Sequence, residues 1–226
     1  MPLEKNQVMQ ALPADVRERW CAHGQWVNLK VGDVLCADTR TIDHLYLPTS
    51  AVIAWLKLLE TGDTALLVMT GRDNLFGMTG LMGHDVPATQ AVVQCSGLAW
   101  RVPLAMARRD YEHHPAVRSL LLQQYKKAFS QLCQLAICNR FHSLEQQLCR
   151  LLLMTGDRLD SPQVPMTHEH IASLMGARRE GVSNAVGRLM RAGLVRSLRG
   201  CIHIEDRAGL HRRSCECYDM ISVDPR

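Results

Sequence analysis

The run from Thr167 to Met190 constrains the fold more than any other part of the chain. Its first half opens on Thr167, a good N-cap residue, and puts Ile171, Leu174 and Met175 on one helical face. It ends on Gly176, which takes the positive φ of a sharp turn without steric cost. After the turn, Val182, Val186 and Leu189 recur at helical spacing, with Arg179, Glu180, Ser183, Asn184 and Arg188 on the opposite face. Two short helices joined by a glycine turn predict a helix-turn-helix, whose second helix fits the DNA major groove. Gly193 closes that helix, and Leu194-Val195 and Ile202-His203-Ile204 read as two short strands about a turn at Arg199-Gly200. The result is a winged helix, with Arg196 and Arg199 where a wing meets phosphate.

The outward face of the second helix carries the chemistry of base recognition. Arg pairs bidentately with guanine O6 and N7, Glu accepts from cytosine N4, and Asn pairs with adenine N6 and N7. Arg179 and Glu180 lie in the first turn, which meets base edges first. A solvated polar face is the ordinary reading of one amphipathic helix. The preceding helix, the glycine turn and the wing favour nucleic acid instead. Charge agrees: residues 165–213 hold nine arginines, no lysine and four acids, a balance of +5, against +4 for the whole chain. An all-arginine set suits phosphate and guanine recognition better than solubility alone requires.

Ahead of this region the pattern is different. Pro13 to His23 reads as a short helix, and from Gly24 to about Val102 short strands alternate with turns. The strands are Trp26 to Leu29, Leu45 to Leu47, Val52 to Leu59, Ala65 to Met69, Gln90 to Gln94 and Leu98 to Val102. Close turns with few helical segments predict an antiparallel barrel or jelly roll. Pro103 to Tyr111 is a further short helix, broken at His113-His114-Pro115, and a long helix follows from about Ala116 to Asn139. In it Leu121, Tyr125, Ala128, Leu132, Leu135 and Asn139 form an a/d seam. Such a seam packs either on the front domain or against a second copy. The second copy is preferred, because a helix-turn-helix protein reading a palindrome needs two. Ser143-Leu144-Glu145-Gln146 is a capping box that opens a helix to Met154, with Leu148, Leu151 and Leu152 inward. Arg140-Phe141-His142 is then a hinge, and residues 160–165 a loop.

Thr167 to Met190, with its wing, resembles the DNA-binding domain of the CRP/FNR family (cyclic-AMP receptor protein and fumarate-nitrate regulator). The tail Asp206-Arg207-Ala208-Gly209-Leu210 with Ser214-Cys215-Glu216-Cys217-Tyr218 resembles a large bacterial branch of that family with poorly defined effectors. The resemblance covers nearly the whole chain and implies an α+β architecture. Residues 1–115 would be a cyclic-nucleotide-binding-like β-roll (jelly roll) that senses, residues 116–142 a dimerisation helix and hinge, and residues 143–226 the winged helix-turn-helix. It implies a cytoplasmic, homodimeric transcription regulator, not an enzyme, bound to a palindromic operator in double-stranded DNA, with RNA polymerase as a further candidate partner. It also implies that Arg179 and Glu180 read a G·C pair in each half-site, with Ser183 and Asn184 on the same face. Asn184 stands where an Arg is often found, which leaves the base preferred there open. Thr167, His168, Arg178, Arg188 and Arg199 would mainly hold phosphate. The alternative is a ligand- or redox-sensing regulatory module acting through protein contacts.

The family's cyclic-nucleotide pocket uses a Gly-Glu pair for the ribose and an Arg-Ser/Thr-Ala triplet for the cyclic phosphate. A buried phosphate needs that Arg, because an uncompensated charge is costly to desolvate. In the matching stretches, Asn74 to Gly80 and Ala88 to Val93, Met78 stands for the Glu and Thr89 for the Arg. No Arg or Lys occurs between Arg72 and Arg101. Cyclic AMP is therefore not an expected ligand. Met78, Thr89, Gln90 and Tyr125 are the candidate effector-facing residues of a pocket that is either vestigial or suited to a less charged molecule.

Nine cysteines, odd in number and scattered, predict free thiols in a reducing cytosol. Cys21 and Cys36 do not match the N-terminal cluster of the family's iron–sulfur members, so no such cluster is expected. Haem stays open, since nothing singles out one of the ten histidines. Cys133 and Cys138 read as buried structural thiols on the long helix. Cys215-Glu216-Cys217 is too short for a Cys-x2-Cys metal arm. It reads as a packing motif in a terminal helix rather than a metal or redox pair with Cys201 and His203. His168-Glu169-His170 lacks the spacing of a zinc helix, and no metal site is expected. No run approaches the roughly 18 apolar residues of a membrane span, and Met1 to Trp20 has no apolar export core.

Overall fold

In the computed structural model, described over residues 3–37, 42–81 and 89–223, the strands of the front half divide their side chains between two cores. The chain divides into two compact units, Met1–Leu56 with Val68–Phe129 and Lys57–Leu67 with Ser130–Arg226. The front elements are helices α1 (Gln7–Ala11) and α2 (Ala14–His23), then strands β1 (Gln25–Leu29), β2 (Val34–Cys36), β3 (His44–Pro48), β4 (Val52–Leu58) and β5 (Thr64–Thr70). They continue with a single-turn α3 (Met78–Leu81), β6 (Thr89–Cys95), β7 (Gly97–Pro103), α4 (Leu104–His113) and α5 (Pro115–Phe141). Two sheets form, β1-β7-β3 and β2-β6-β4-β5.

The alternation of a β-strand explains the two cores. Tyr46 of β3, Leu29 of β1 and Ala99 of β7 pack with Ile53, Phe76, Ala91 and Val93, filling the space between the sheets. Leu45, Leu47, Trp100 and Val102, their neighbours in sequence, pack instead with Val8, Val16, Trp20, Ala107 and Leu121 from the helices. This is the expected antiparallel β-roll, with its three-stranded sheet covered by helices on its second face. Helix α1 and strand β2 are additions to the sequence reading. Asn6 starts α1 by accepting from the N–H groups of Val8 and Met9, while its own amide donates to Pro48 O at 2.9 Å and Asn74 O at 3.0 Å.

The long helix α5 runs for 27 residues, and its exposure pattern corrects the register of the seam. Leu121 and Leu135, expected in the seam, are buried within their own chain, as are Val117, Gln124, Gln131 and Cys138. The outward apolar stripe is Leu122, Tyr125, Phe129, Leu132 and Ala136, which shares only Tyr125 and Leu132 with the expected one. Cys133 is exposed, contrary to expectation, and Cys138 is buried.

After α5, Ser143 caps α6 (Leu144–Leu159) through the expected box with Gln146. Strand β8 (Gln163–Val164), helices α7 (His168–Met175) and α8 (Arg179–Arg191), strands β9 (Val195–Leu198) and β10 (Cys201–Ile204), and α9 (Arg207–Arg213) follow. The segment read as a loop thus contains β8, which pairs with β10 to make the sheet β8-β10-β9. Leu148, Leu151, Leu152, Ile171, Val182, Val186, Leu189 and Ile202 are buried, in agreement with the helical and strand periodicities. The tail after α9 is not helical: residues 214–220 form a bend and turns. Among the described residues no helix is long and apolar enough to cross a membrane.

Candidate nucleic-acid interface

Local rules place the two helices and the wing. The Thr167 hydroxyl accepts from the His170 N–H at 3.1 Å and starts α7. Gly176 adopts φ 60°, and its N–H and that of Ala177 close the helix on Ser173 and Ala172 carbonyls. The N-cap of helix α8 is Arg178, whose side chain makes no cap hydrogen bond. The first N–H groups of α8 are therefore not claimed by that side chain, which leaves a partial positive charge for an anion. At its far end Gly193, at φ 71°, lets the Leu194 N–H reach back to Leu189 O at 3.0 Å.

Arg178, Arg179, Glu180 and Asn184 are exposed at the start of α8, and Arg199 is exposed beside Gly200, which has φ 75° at the wing tip. Arg179 lies 3.6 Å from Glu169 of α7, an exposed pair that a stronger acceptor can displace. His168 is held elsewhere than its expected role. Its Nδ1 is 3.0 Å from Ser183 Oγ and its Nε2 3.4 Å from Ser197 Oγ, so it links α7, α8 and β9. Ser183 is correspondingly turned toward His168. Arg196 pairs with Glu205 at 2.8 Å.

Arg188 has a tertiary partner that its helix gives no sign of. Glu145, in the first turn of α6, accepts from Arg188 Nε at 2.6 Å and from Arg213 Nη1 at 2.8 Å. The hydrogen bond from Arg188, supported by that from Arg213, holds the Glu145 carboxyl below its ordinary value near 4.5. A depressed carboxylate adds stability above its unfolded pKa, and that stability is lost as pH falls through the folded one. The wild-type chain is thus expected to exceed Glu145→Gln in stability at neutral pH, with the gap closing below about pH 4.5. Urea melts of both chains across that range check it; a gap constant with pH rules the linkage out.

The tail docks on α6. Arg207 Nη2 lies 2.6 Å from Asp157 Oδ1, and the Tyr218 hydroxyl donates to Asp157 Oδ2 at 2.7 Å. Burial, then the bond to Asp157, pushes the Tyr218 phenol up. The two tail thiols do not meet Cys201 or His203. Cys215 and Cys217 converge on Cys138 and His142 at the end of α5.

The candidate effector residues are scattered in character. Met78 and Thr89 are buried, Gln90 is half-buried and Tyr125 exposed on α5. Met78 belongs to the apolar core with Trp20, Leu45 and Leu104. Residues 82–88, including Ala88 of the expected pocket, lie outside the described residues. A cleft of about 700 Å³ bounded by Arg19, His23, Met106, Arg109, Asp110 and His113 includes none of the four.

Residues 146–213 match the family of the Crp-like helix-turn-helix domain. The fold is that of solved CRP/FNR regulators. One similar structure is a CRP-family transcriptional regulator from Thermus thermophilus, at 22% identity and TM-score 0.66, covering 83% of this chain and 96% of that one. A second, a CRP/FNR-family transcriptional regulator from the same organism, has 20% identity and TM-score 0.68, with 84% and 98% covered. FixK2 from Bradyrhizobium japonicum has 16% identity and TM-score 0.71, with 85% and 98% covered. No curated protein matches the chain.

Proposed function

We propose that this chain, a Crp-like helix-turn-helix protein with the CRP/FNR fold, is a cytoplasmic transcription regulator that binds a palindromic DNA operator as a homodimer. The observation that carries the reading is the exposed set Arg179, Glu180 and Asn184 at the start of α8. Around it stand Arg178, the cap of Thr167 and Arg199 at the wing tip, suited to phosphate. Arg179 and Glu180 read one G·C pair in each half-site, and Asn184 reads a neighbouring base. His168 and Ser183 hold the reading helix to the wing, and Arg188 reaches phosphate only by leaving Glu145. The exposed stripe on α5 is the contact with the second copy, and RNA polymerase is a downstream partner of the bound dimer.

The effector is not cyclic AMP. Met78, where the ribose carboxylate would stand, belongs to the apolar core, and Thr89 supplies no positive charge. Selection of bound DNA from a random pool, with no ligand added, tests the main reading. An enriched palindrome with half-sites about one helical turn apart supports it; protein that is folded yet binds no DNA at low salt removes it. With the operator in hand, Arg179→Ala is expected to cost about 1–3 kcal/mol and to relax preference at one base pair. A mutant that weakens binding equally on every sequence makes Arg179 a phosphate contact instead.

A further inference from the structure

We infer that Cys138, His142, Cys215 and Cys217 bind one zinc ion per chain as a closed structural centre that fastens the C-terminal tail to the end of α5. The sulfur and ring-nitrogen atoms of these four residues all lie within 4.8 Å of one another. Cys138 Sγ and Cys215 Sγ are 3.5 Å apart, and Cys217 Sγ is 3.4 Å from His142 Nδ1. In a tetrahedral zinc site, with Zn–S about 2.3 Å and Zn–N about 2.0 Å, neighbouring ligand atoms stand roughly 3.5–3.8 Å apart. The two edges lie within a few tenths of an ångström of that spacing. A disulfide would need about 2.05 Å. A polynuclear iron–sulfur cluster spreads its thiolates over several irons and needs a wider cage.

The backbone delivers the four groups for separate reasons. Cys138 and His142 are four apart at the end of α5, joined by the bond from the His142 N–H to Cys138 O at 3.0 Å, so they share a face. Cys215 and Cys217 are two apart, which would separate them on a helix, but the tail is non-helical there and both turn inward. Cys138, Cys215 and Cys217 are buried, and His142 is 14% exposed.

The surroundings are those of a metal centre rather than a thiol core. The second ring nitrogen of His142, Nε2, faces Glu216 Oε1 at 3.4 Å, which orients a ligating imidazole through a carboxylate. The Gln134 amide donates to Cys217 Sγ at 3.0 Å, a bond that a thiolate accepts well. Arg150 is 3% exposed, its Nε has no hydrogen-bond partner, and its charge favours the Cys138 thiolate. Three thiolates, a neutral imidazole and a divalent ion sum to one negative charge, which the Arg150 guanidinium balances in a medium where a lone charge is costly. Zinc takes cysteine as thiolate, so a divalent ion bound by these three sulfurs displaces their protons to solvent. Three sulfurs and one nitrogen in tetrahedral array select zinc among divalent ions, and four protein ligands leave no open position for catalysis.

The test uses the full chain, purified reduced and without chelator, and elemental analysis by mass spectrometry. One zinc per chain is expected, retained in Cys133→Ser, whose thiol is exposed on α5, and lost in Cys217→Ser and in His142→Ala. The second readout needs no variant: cobalt(II) added to metal-stripped wild-type chain is expected to give the intense visible bands of a tetrahedral thiolate site at one equivalent. Weak octahedral cobalt bands, a Cys138–Cys215 disulfide recovered from the native protein, or iron–sulfur absorption would each overturn the proposal. DNA binding enters none of these measurements, so the proposal stands or falls apart from the regulatory reading.

Discussion

A chain carrying Phe129→Asp and Leu132→Asp is expected to bind its two-fold operator about 10²–10⁴-fold more weakly than the parent, while each folded copy keeps its reading head. Both side chains are exposed on α5, Phe129 at 57% and Leu132 at 37%, so the substitutions leave the chain's own cores intact. With Leu122, Tyr125 and Ala136 they form one apolar stripe that a second copy would cover. Two carboxylates there place like charges in the proposed seam, where in a symmetric dimer each would meet its own image. Once the dimer is lost, the second half-site is no longer reached at the high local concentration the first provides. Light scattering gives the oligomeric state, and operator titration at fixed salt gives the affinity. A persistent dimer with unchanged affinity would show that the two copies meet through another surface.

The second large effect belongs to the front core. Trp20→Ala is expected to cost about 3–5 kcal/mol of stability. Trp20 is fully buried between the helices and the β1-β7-β3 sheet, among Val16, Trp100 and Val102. Its indole N–H donates to Asp110 Oδ2 at 2.7 Å, and Asp110 is itself buried. Truncation leaves a large cavity and removes one of that carboxylate's donors, while Arg19 at 2.9 Å remains. Trp20→Phe separates the two causes, because it restores most of the volume and none of the hydrogen bond. Chemical denaturation followed by circular dichroism measures both. A loss under about 1 kcal/mol for the alanine variant would mean that the pocket collapses around the gap.

The helix-turn-helix was legible in the sequence because its determinants are local. Thr167, Gly176, Gly193 and Gly200 cap or turn the chain at the expected positions, and the burial of Val182, Val186 and Leu189 follows from helical spacing alone. The seam of α5 was legible only as a period. Two stripes of the same 4-3 spacing run along it, and the inward one includes Gln124 and Gln131, which a count of apolar residues passes over. The partner of Arg188 is 43 positions away in α6, and Cys138 meets Cys215 across 77 positions. No pattern in either segment announces such a meeting. The tail thiols were further obscured by the assumption of a helix, on which residues two apart diverge.

The histidine that joins the two helices of the helix-turn-helix to the wing has a consequence for how the three hold together. Both of its ring nitrogens face serine hydroxyls, Ser183 on α8 and Ser197 on β9. A hydroxyl can either give or take a hydrogen bond by rotating. One ring is thus clasped from both sides by hydroxyls that adjust to it, and a single side chain ties α7 to both α8 and β9. Helix and strand share one fastening, so whatever shifts that ring shifts both together.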